Sequence, residues 1–154
     1  MALSDRVALL RAGVLEQVAP PREIYGEPAT AYAAQFIGQT NLLRAQVRDG
    51  VATAGTIAWR ASGGSGEATY SLRPECIRLA HGSVTPASPD ASVARFRGSV
   101  RNQSFGGATD LVEVDCDNSL VIRVRIPNPG VLSGEHEFEF NAGDATLVRE
   151  GEDA

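Results

Sequence analysis

The sequence predicts a mainly β fold, with a short β-hairpin and a helix appended at the N-terminus. Three observations carry this reading. From residue 39 onward the chain breaks into short apolar-alternating runs separated by Gly, Asn, Asp and Pro. The clearest run, Leu120-Val121-Ile122-Arg123-Val124-Arg125-Ile126, puts Leu120, Ile122, Val124 and Ile126 on one face and its arginines on the other. With 154 residues, the chain suits one domain, or one domain plus an appendage, and can bury a core.

Taken in order, residues 6–18 read as two short strands around Ala12-Gly13, where glycine supplies the positive φ of a tight turn. Both strands are apolar on both faces, through Val7, Leu9, Leu10, Val14, Leu15 and Val18. Strands of that kind want cover on two sides. They are expected to pack on the second domain, pair across a dimer, or fray. Pro20-Pro21 ends the hairpin and can open a helical turn. A second helix is expected from Pro28 to Ile37, with Ala29, Tyr32, Ala33, Phe36 and Ile37 on one docking face and Gly38 as its stop.

In the β region, Leu72 and Ile77-Arg78-Leu79 bracket Arg73-Pro74, and Phe96, Gly98 and Val100 alternate with Arg95, Arg97, Ser99 and Arg101. Leu111-Val112-Glu113-Val114-Asp115 is the first strand of a hairpin that turns at Asp117-Asn118. Phe138 and Phe140 alternate with Glu137 and Glu139. About seven strands at these spacings argue for a small barrel or sandwich. Gly63-Gly64-Ser65-Gly66 and His81 to Asp90 read as surface loops, and residues 150–154 as a disordered acidic tail.

Composition excludes several functions. The net charge of -5 argues against nucleic acid as a partner, since such binders present a basic face. A single-strand platform of Trp59, Tyr70, Phe96 and Phe105 is disfavoured as well, because most of these aromatics fall on apolar strand faces. Every basic residue other than histidine is arginine. Without lysine, a phosphate-binding loop or a Schiff base is ruled out for these residues. Cys76 and Cys116 lack metal-site or disulfide-framework spacing. No apolar run approaches the ~20 residues that span a bilayer, and no signal peptide opens the chain, so a cytosolic location is expected.

Arg73-Pro74-Glu75 is a rigid kink flanked by opposite charges, because proline fixes its own φ and extends the residue before it. The two charges either contact a ligand or neighbouring subunit, or pair with each other and pin the kink. Arg95, Arg97 and Arg101 are expected to be neutralised by Glu113 and Asp115 on a neighbouring strand. Phe105-Gly106-Gly107 lies between β-runs, so a bulge or tight bend is expected there rather than a phosphate cradle. His81 and His136 are isolated, and no catalytic role is assigned to any residue.

Several motifs, in order, resemble one family. They are Ser4-Asp5-Arg6 ahead of the hairpin, Phe36-Ile37-Gly38 with Asn41, Arg73-Pro74-Glu75, Gly98-x-Val100 followed by Phe105-Gly106-Gly107-x-Thr109, and Gly143-Asp144-Ala145-x-Leu147. Together they resemble the C-terminal part of the ATP-binding subunits of ABC importers for sugars, polyamines, ferric ion, phosphonates and similar solutes. Asn141 departs from the Pro or Ser often found near the closing strand.

The resemblance implies a TOBE/OB-type β-barrel over residues 39–149. Residues 1–38 would be the last piece of the nucleotide-binding domain. It also implies regulation and dimerisation rather than catalysis: no cofactor here, with ATP and Mg²⁺ confined to the full-length parent. Expected partners are a second copy, membrane permease subunits through the parent, and a small-solute effector, at the inner face of the membrane. Arg73, Glu75, Phe105 and Thr109 are candidate regulatory or interface residues. Val7, Leu9, Leu10, Val14 and Leu15 are a candidate face left uncovered by the missing ATPase domain. A free-standing module for oxyanions or other small solutes is the alternative, and a nucleic-acid-binding barrel the third.

Overall fold

The computed structural model describes residues 4–61, 63–80, 91–117 and 120–150. The loop expected at 81–90, Asn118 of the expected turn, and the tail at 151–154 lie outside these residues. The described elements are β1 (Val7–Arg11), β2 (Val14–Ala19), α1 (Pro21–Gly26), α2 (Ala31–Ile37), β3 (Asn41–Arg48), β4 (Val51–Ala54), β5 (Ile57–Arg60), β6 (Gly66–Leu72), β7 (Ile77–Leu79), β8 (Val93–Phe105), β9 (Thr109–Asp117), β10 (Leu120–Pro127), β11 (Glu135–Asn141) and β12 (Thr146–Val148). Of the described residues, 59% are in strands and 14% in helices, so the fold is mainly β, consistent with a barrel-like OB/TOBE fold.

Two five-stranded antiparallel sheets, ordered β12-β6-β3-β4-β5 and β10-β9-β8-β11-β7, enclose a shared core. Alternation builds each inner face. On β3, Leu43, Ala45 and Val47 turn inward, and on β10 Ile122, Val124 and Ile126 do so, as the period of two requires. Trp59 of the first sheet meets Phe140 of the second edge-on, with ring centroids 6.1 Å apart. Phe138 and Phe140 are fully buried, as their spacing predicts.

Strand β8 serves two neighbours in turn. Residues 93–99 pair with β11 and residues 99–105 with β9, the latter ladder carrying a register shift between Val100 and Asn102. Gly98 sits where β8 presses on β9: a Cβ there would lie 2.3 Å from Val114 Cγ1. Between the two sheets, the Asn41 side chain takes the place of a ladder partner. It donates to the Arg123 carbonyl and accepts from the Arg123 amide, both at 2.8 Å.

The hairpin β1–β2 turns at Ala12 and Gly13, both at positive φ, as the primed turns of two-residue hairpins demand. Of the face expected to be uncovered, Leu10, Val14 and Leu15 are exposed, whereas Leu9 is buried and Val7 half-buried. A bulge between Leu9 and Leu10 resets which side chains share a face.

Helix α2 is shorter than expected. Thr30 caps it by accepting from the Ala33 amide, so the turn begins at Ala31 rather than Pro28. Its buried residues are Ala33 and Ala34, and Phe36 is 63% exposed. The expected face is therefore rotated. Two small alanines let the helix approach closely, and Phe36 instead stacks on Tyr32 at 5.7 Å.

The hairpin–helix unit is fastened to the barrel's last strand. The Ala31 amide donates to the Arg149 carbonyl, and the Arg149 amide to the Ala29 carbonyl, a short parallel bridge. Thr30 donates its hydroxyl to Glu16, and Gln17 accepts from the Ala29 amide, which ties β2 to the same segment. Glu150, expected to open a disordered tail, accepts from the Thr69 hydroxyl at 2.7 Å and faces Arg44 at 3.2 Å.

Candidate functional sites

Arg73 lies at the end of β6, followed by a helical turn over Pro74–Cys76. It is only 5% exposed. Its guanidinium donates to the Tyr25 carbonyl from Nε and Nη2, and from Nη1 to the carbonyls of Ala34, Gly38 and Gln39, at 2.8–3.3 Å. The carbonyls of Ala34 and Gly38 belong to the C-terminal end of α2, where the helix dipole favours a cation. The guanidinium also lies over the Tyr25 ring, 4.3 Å from its centre.

Glu75 is exposed and accepts a hydrogen bond from the Tyr25 hydroxyl. The two charges that flank Pro74 thus reach the same tyrosine from two sides, in place of the direct ion pair considered from sequence. Partial burial and the bond to Glu75 push the Tyr25 hydroxyl up to about 12, against the opposing pull of Arg73. Burial lowers the Arg73 pKa, with Tyr25 and Glu75 working against the shift.

Phe105 and Thr109 sit together at the β8–β9 turn. The Gly106 amide donates to the Thr109 carbonyl at 3.0 Å, and a Cβ on Gly106 would lie 2.6 Å from that oxygen. This is the tight bend expected, with Gly107 at φ 88°. Phe105 is 82% exposed and Val131 is 95% exposed, and both line a groove of about 830 Å³. Gln103 organises the groove wall: it donates to Asp110 and to the Gly130 carbonyl and accepts from the Leu132 amide. Asp110 is buried, and its second carboxylate oxygen has no hydrogen-bond partner.

A second apolar surface lies on the N-terminal unit, where Leu10, Val14, Leu15, Val18 and Phe36 are all exposed. Leu9, expected on this face, belongs to the interior. Elsewhere on the surface, several arginines pair with acids. Arg95 pairs with Glu139, and Arg97 with Glu135 and Glu137, so these arginines find their partners on β11 rather than on β9 as expected. Arg101 does face Asp115, at 3.8 Å. Trp59, Tyr70 and Phe96 are buried, and Phe105 alone of the four aromatics weighed as a stacking platform is exposed.

Sequence reasoning placed Asn41 in the family motif but gave no role to Asn41 or to Tyr25. Both act on partners far along the chain, which spacing does not reveal. Among the described residues, no group of three or more His, Cys, Asp or Glu is placed to hold a metal ion. Among the described residues, no helix is long and apolar enough to cross a membrane.

No family model matches the chain. Individual relatives do. The spermidine/putrescine import ATP-binding protein PotA of Pseudomonas aeruginosa (strain UCBPP-PA14) is 36% identical, with 94% of this chain and 41% of the relative covered. PotA of Acidothermus cellulolyticus is 33% identical over 97% of this chain and 44% of its own length. PotA of Mesorhizobium japonicum is 30% identical over the whole chain and 42% of its own length. The chain spans about two-fifths of the length of these relatives. Over nearly its whole length, this chain matches the C-terminal part of the ATP-binding subunits of ABC importers.

Proposed function

We propose that this chain is the regulatory and dimerisation part of an ABC importer ATP-binding subunit, which energises uptake of a solute across the inner membrane. The observation that carries the reading is the match along nearly the whole chain to import ATP-binding proteins. The placement of the exposed apolar side chains supports it. One set, Leu10, Val14, Leu15, Val18 and Phe36, lies on the hairpin and α2, where the rest of the subunit would cover it. The other, Phe105 and Val131, flanks a groove on the opposite part of the chain sequence and suits a two-fold contact that uses one patch twice.

In this reading the barrel holds two subunits together at the cytoplasmic face of the membrane, beside the permease subunits. ATP and Mg²⁺ act elsewhere in the parent. The relatives' names make spermidine and putrescine the first cargoes to test. A small-solute effector would bind in the groove beside Phe105. The groove is lined by Asp110 as well as Arg101, so it does not concentrate positive charge for an oxyanion, which weighs against the alternative of an oxyanion-binding module.

Sedimentation of the chain tests the dimer. The wild-type chain is expected to sediment as a dimer, and the pair Phe105→Ser with Val131→Ser as a monomer. A monomeric wild-type chain at tens of micromolar, roughly the range where a weak interface still associates, would overturn the dimerisation role. Uptake of labelled polyamine by cells carrying the full coding sequence, against cells with that sequence deleted, tests the importer assignment separately.

A further inference from the structure

We propose that residues 14–37 and the barrel form one rigid body, with Arg73 as the side chain that locks the joint at Gly38. The covalent connection between α2 and β3 is only Gly38-Gln39-Thr40, with Gly38 in an extended conformation. A short link of that kind has no intrinsic stiffness. Arg73 supplies it from the barrel side. Its five hydrogen bonds reach α1 at Tyr25, α2 at Ala34, and the link itself at Gly38 and Gln39.

The charge makes the lock firm. Arg73 is buried, its fork is held by carbonyl dipoles and it lies over the Tyr25 ring. Rotation about Gly38 would pull these carbonyls away and leave a guanidinium buried without acceptors, a costly state. Space is tight as well: a Cβ on Gly38 would come within 3.4 Å of the Tyr25 ring.

A second fastening lies at Ala31 and Ala29 against Arg149, on the barrel's closing strand. Together with the covalent link and Arg73, this third attachment at a separate point restricts rotation of the unit. A displacement applied to the hairpin is therefore carried into the barrel without a hinge at residues 38–40. In an importer subunit, a role that rests on the proposed function, this would let the hairpin act as a lever; the joint itself stands without that reading.

Backbone amide relaxation by NMR on the 154-residue chain provides the test. In the wild type, amides of residues 14–37 and of the barrel strands are expected to share one rotational diffusion tensor. In Arg73→Gln the unit is expected to loosen, with amide exchange at Ile24 and Ala34 accelerating by at least about tenfold while that of Val112 and Val124 is unchanged. Ala31→Pro removes one of the two hydrogen bonds of the second fastening and suits the first position of a helix; combined with Arg73→Gln it is expected to give the hairpin–helix unit its own, faster tumbling. Independent tumbling in the wild type would overturn the proposal. So would unchanged exchange in both Arg73→Gln and the double variant. Loss of the barrel signals together with those of the hairpin would overturn it too, because Arg73 would then be needed for the barrel's own fold.

Discussion

Tyr25 and Glu75, fifty residues apart, are joined by a hydrogen bond from the tyrosine hydroxyl to the carboxylate, while Arg73 covers the tyrosine ring. The ring and the hydroxyl therefore do separate work. Tyr25→Phe keeps the surface under the guanidinium and loses only the bond to an exposed carboxylate, so a loss of about 1 kcal/mol is expected. Tyr25→Leu loses the π face as well, and about 2 kcal/mol is expected in total. Denaturant midpoints of the two variants give the comparison. Equal losses would show that the cation–ring contact contributes nothing.

Three buried or half-buried acids make the fold sensitive to alkali. Burial pushes the Cys76 thiol up to about 11, with Asp144 and Glu75 adding, and the Cys116 thiol up to about 12, with Asp115 adding. Tyr25 is raised to about 12. In each case the folded chain holds its proton longer than the unfolded chain. The stability these groups contribute is fully present below their unfolded values of 9.0 and 10.0, and is lost as pH rises through about 11 to 12. The denaturation midpoint should fall steadily over that window, and Cys116 should react with a thiol reagent at mildly alkaline pH only once the chain is unfolded. A flat midpoint across the window would contradict these shifts.

What could be read in advance follows from the range of each signal. The strands β10 and β11 were legible because Ile122, Val124, Phe138 and Phe140 announce an inner face through their own spacing. The hairpin was legible because Ala12-Gly13 carries the turn. The burial of α2 was misread because periodicity gives weight to large side chains, whereas Ala33 and Ala34 decide how close this helix comes. The role of Arg73 was hidden for a different reason: its acceptors are main-chain carbonyls 34 to 48 residues away, and every residue carries a carbonyl. The partners of Arg95 and Arg97 required the order of strands in the sheet, which spacing along the chain does not contain.

Gly98 is set against β9 so closely that an added methyl would lie 2.3 Å from Val114 Cγ1 and 2.9 Å from the Asp115 carbonyl. Gly98→Ala is expected to cost about 1–3 kcal/mol as the strands shift apart. Val114→Ala opens space beside it at a cost of its own. Because the two positions touch, the double variant is expected to be less destabilised than the sum of the singles by at least about 0.5 kcal/mol. Additive losses in a denaturation cycle would mean that the clash is relieved elsewhere, and that the narrow approach of β8 to β9 is not what glycine provides.

Asn41 is buried at 6% exposure and completes β10 by donating to the Arg123 carbonyl and accepting from its amide. The amide group is the smallest side chain that offers one donor and one acceptor in a plane, as a peptide unit does. Asn41→Asp keeps the shape and replaces the donor with an acceptor, so the Arg123 carbonyl faces a carboxylate oxygen. Asn41→Ala removes both bonds and leaves the donor and acceptor of Arg123 to whatever water reaches them. Asn41→Asp is therefore expected to be the worse of the two at neutral pH, with losses of about 3 and about 2 kcal/mol respectively. Acidification should narrow the gap, since a protonated carboxyl regains a donor. Denaturant midpoints at neutral and acid pH decide the matter: if Asn41→Asp equals the wild type at neutral pH, the side chain does not substitute for a ladder partner between the two sheets.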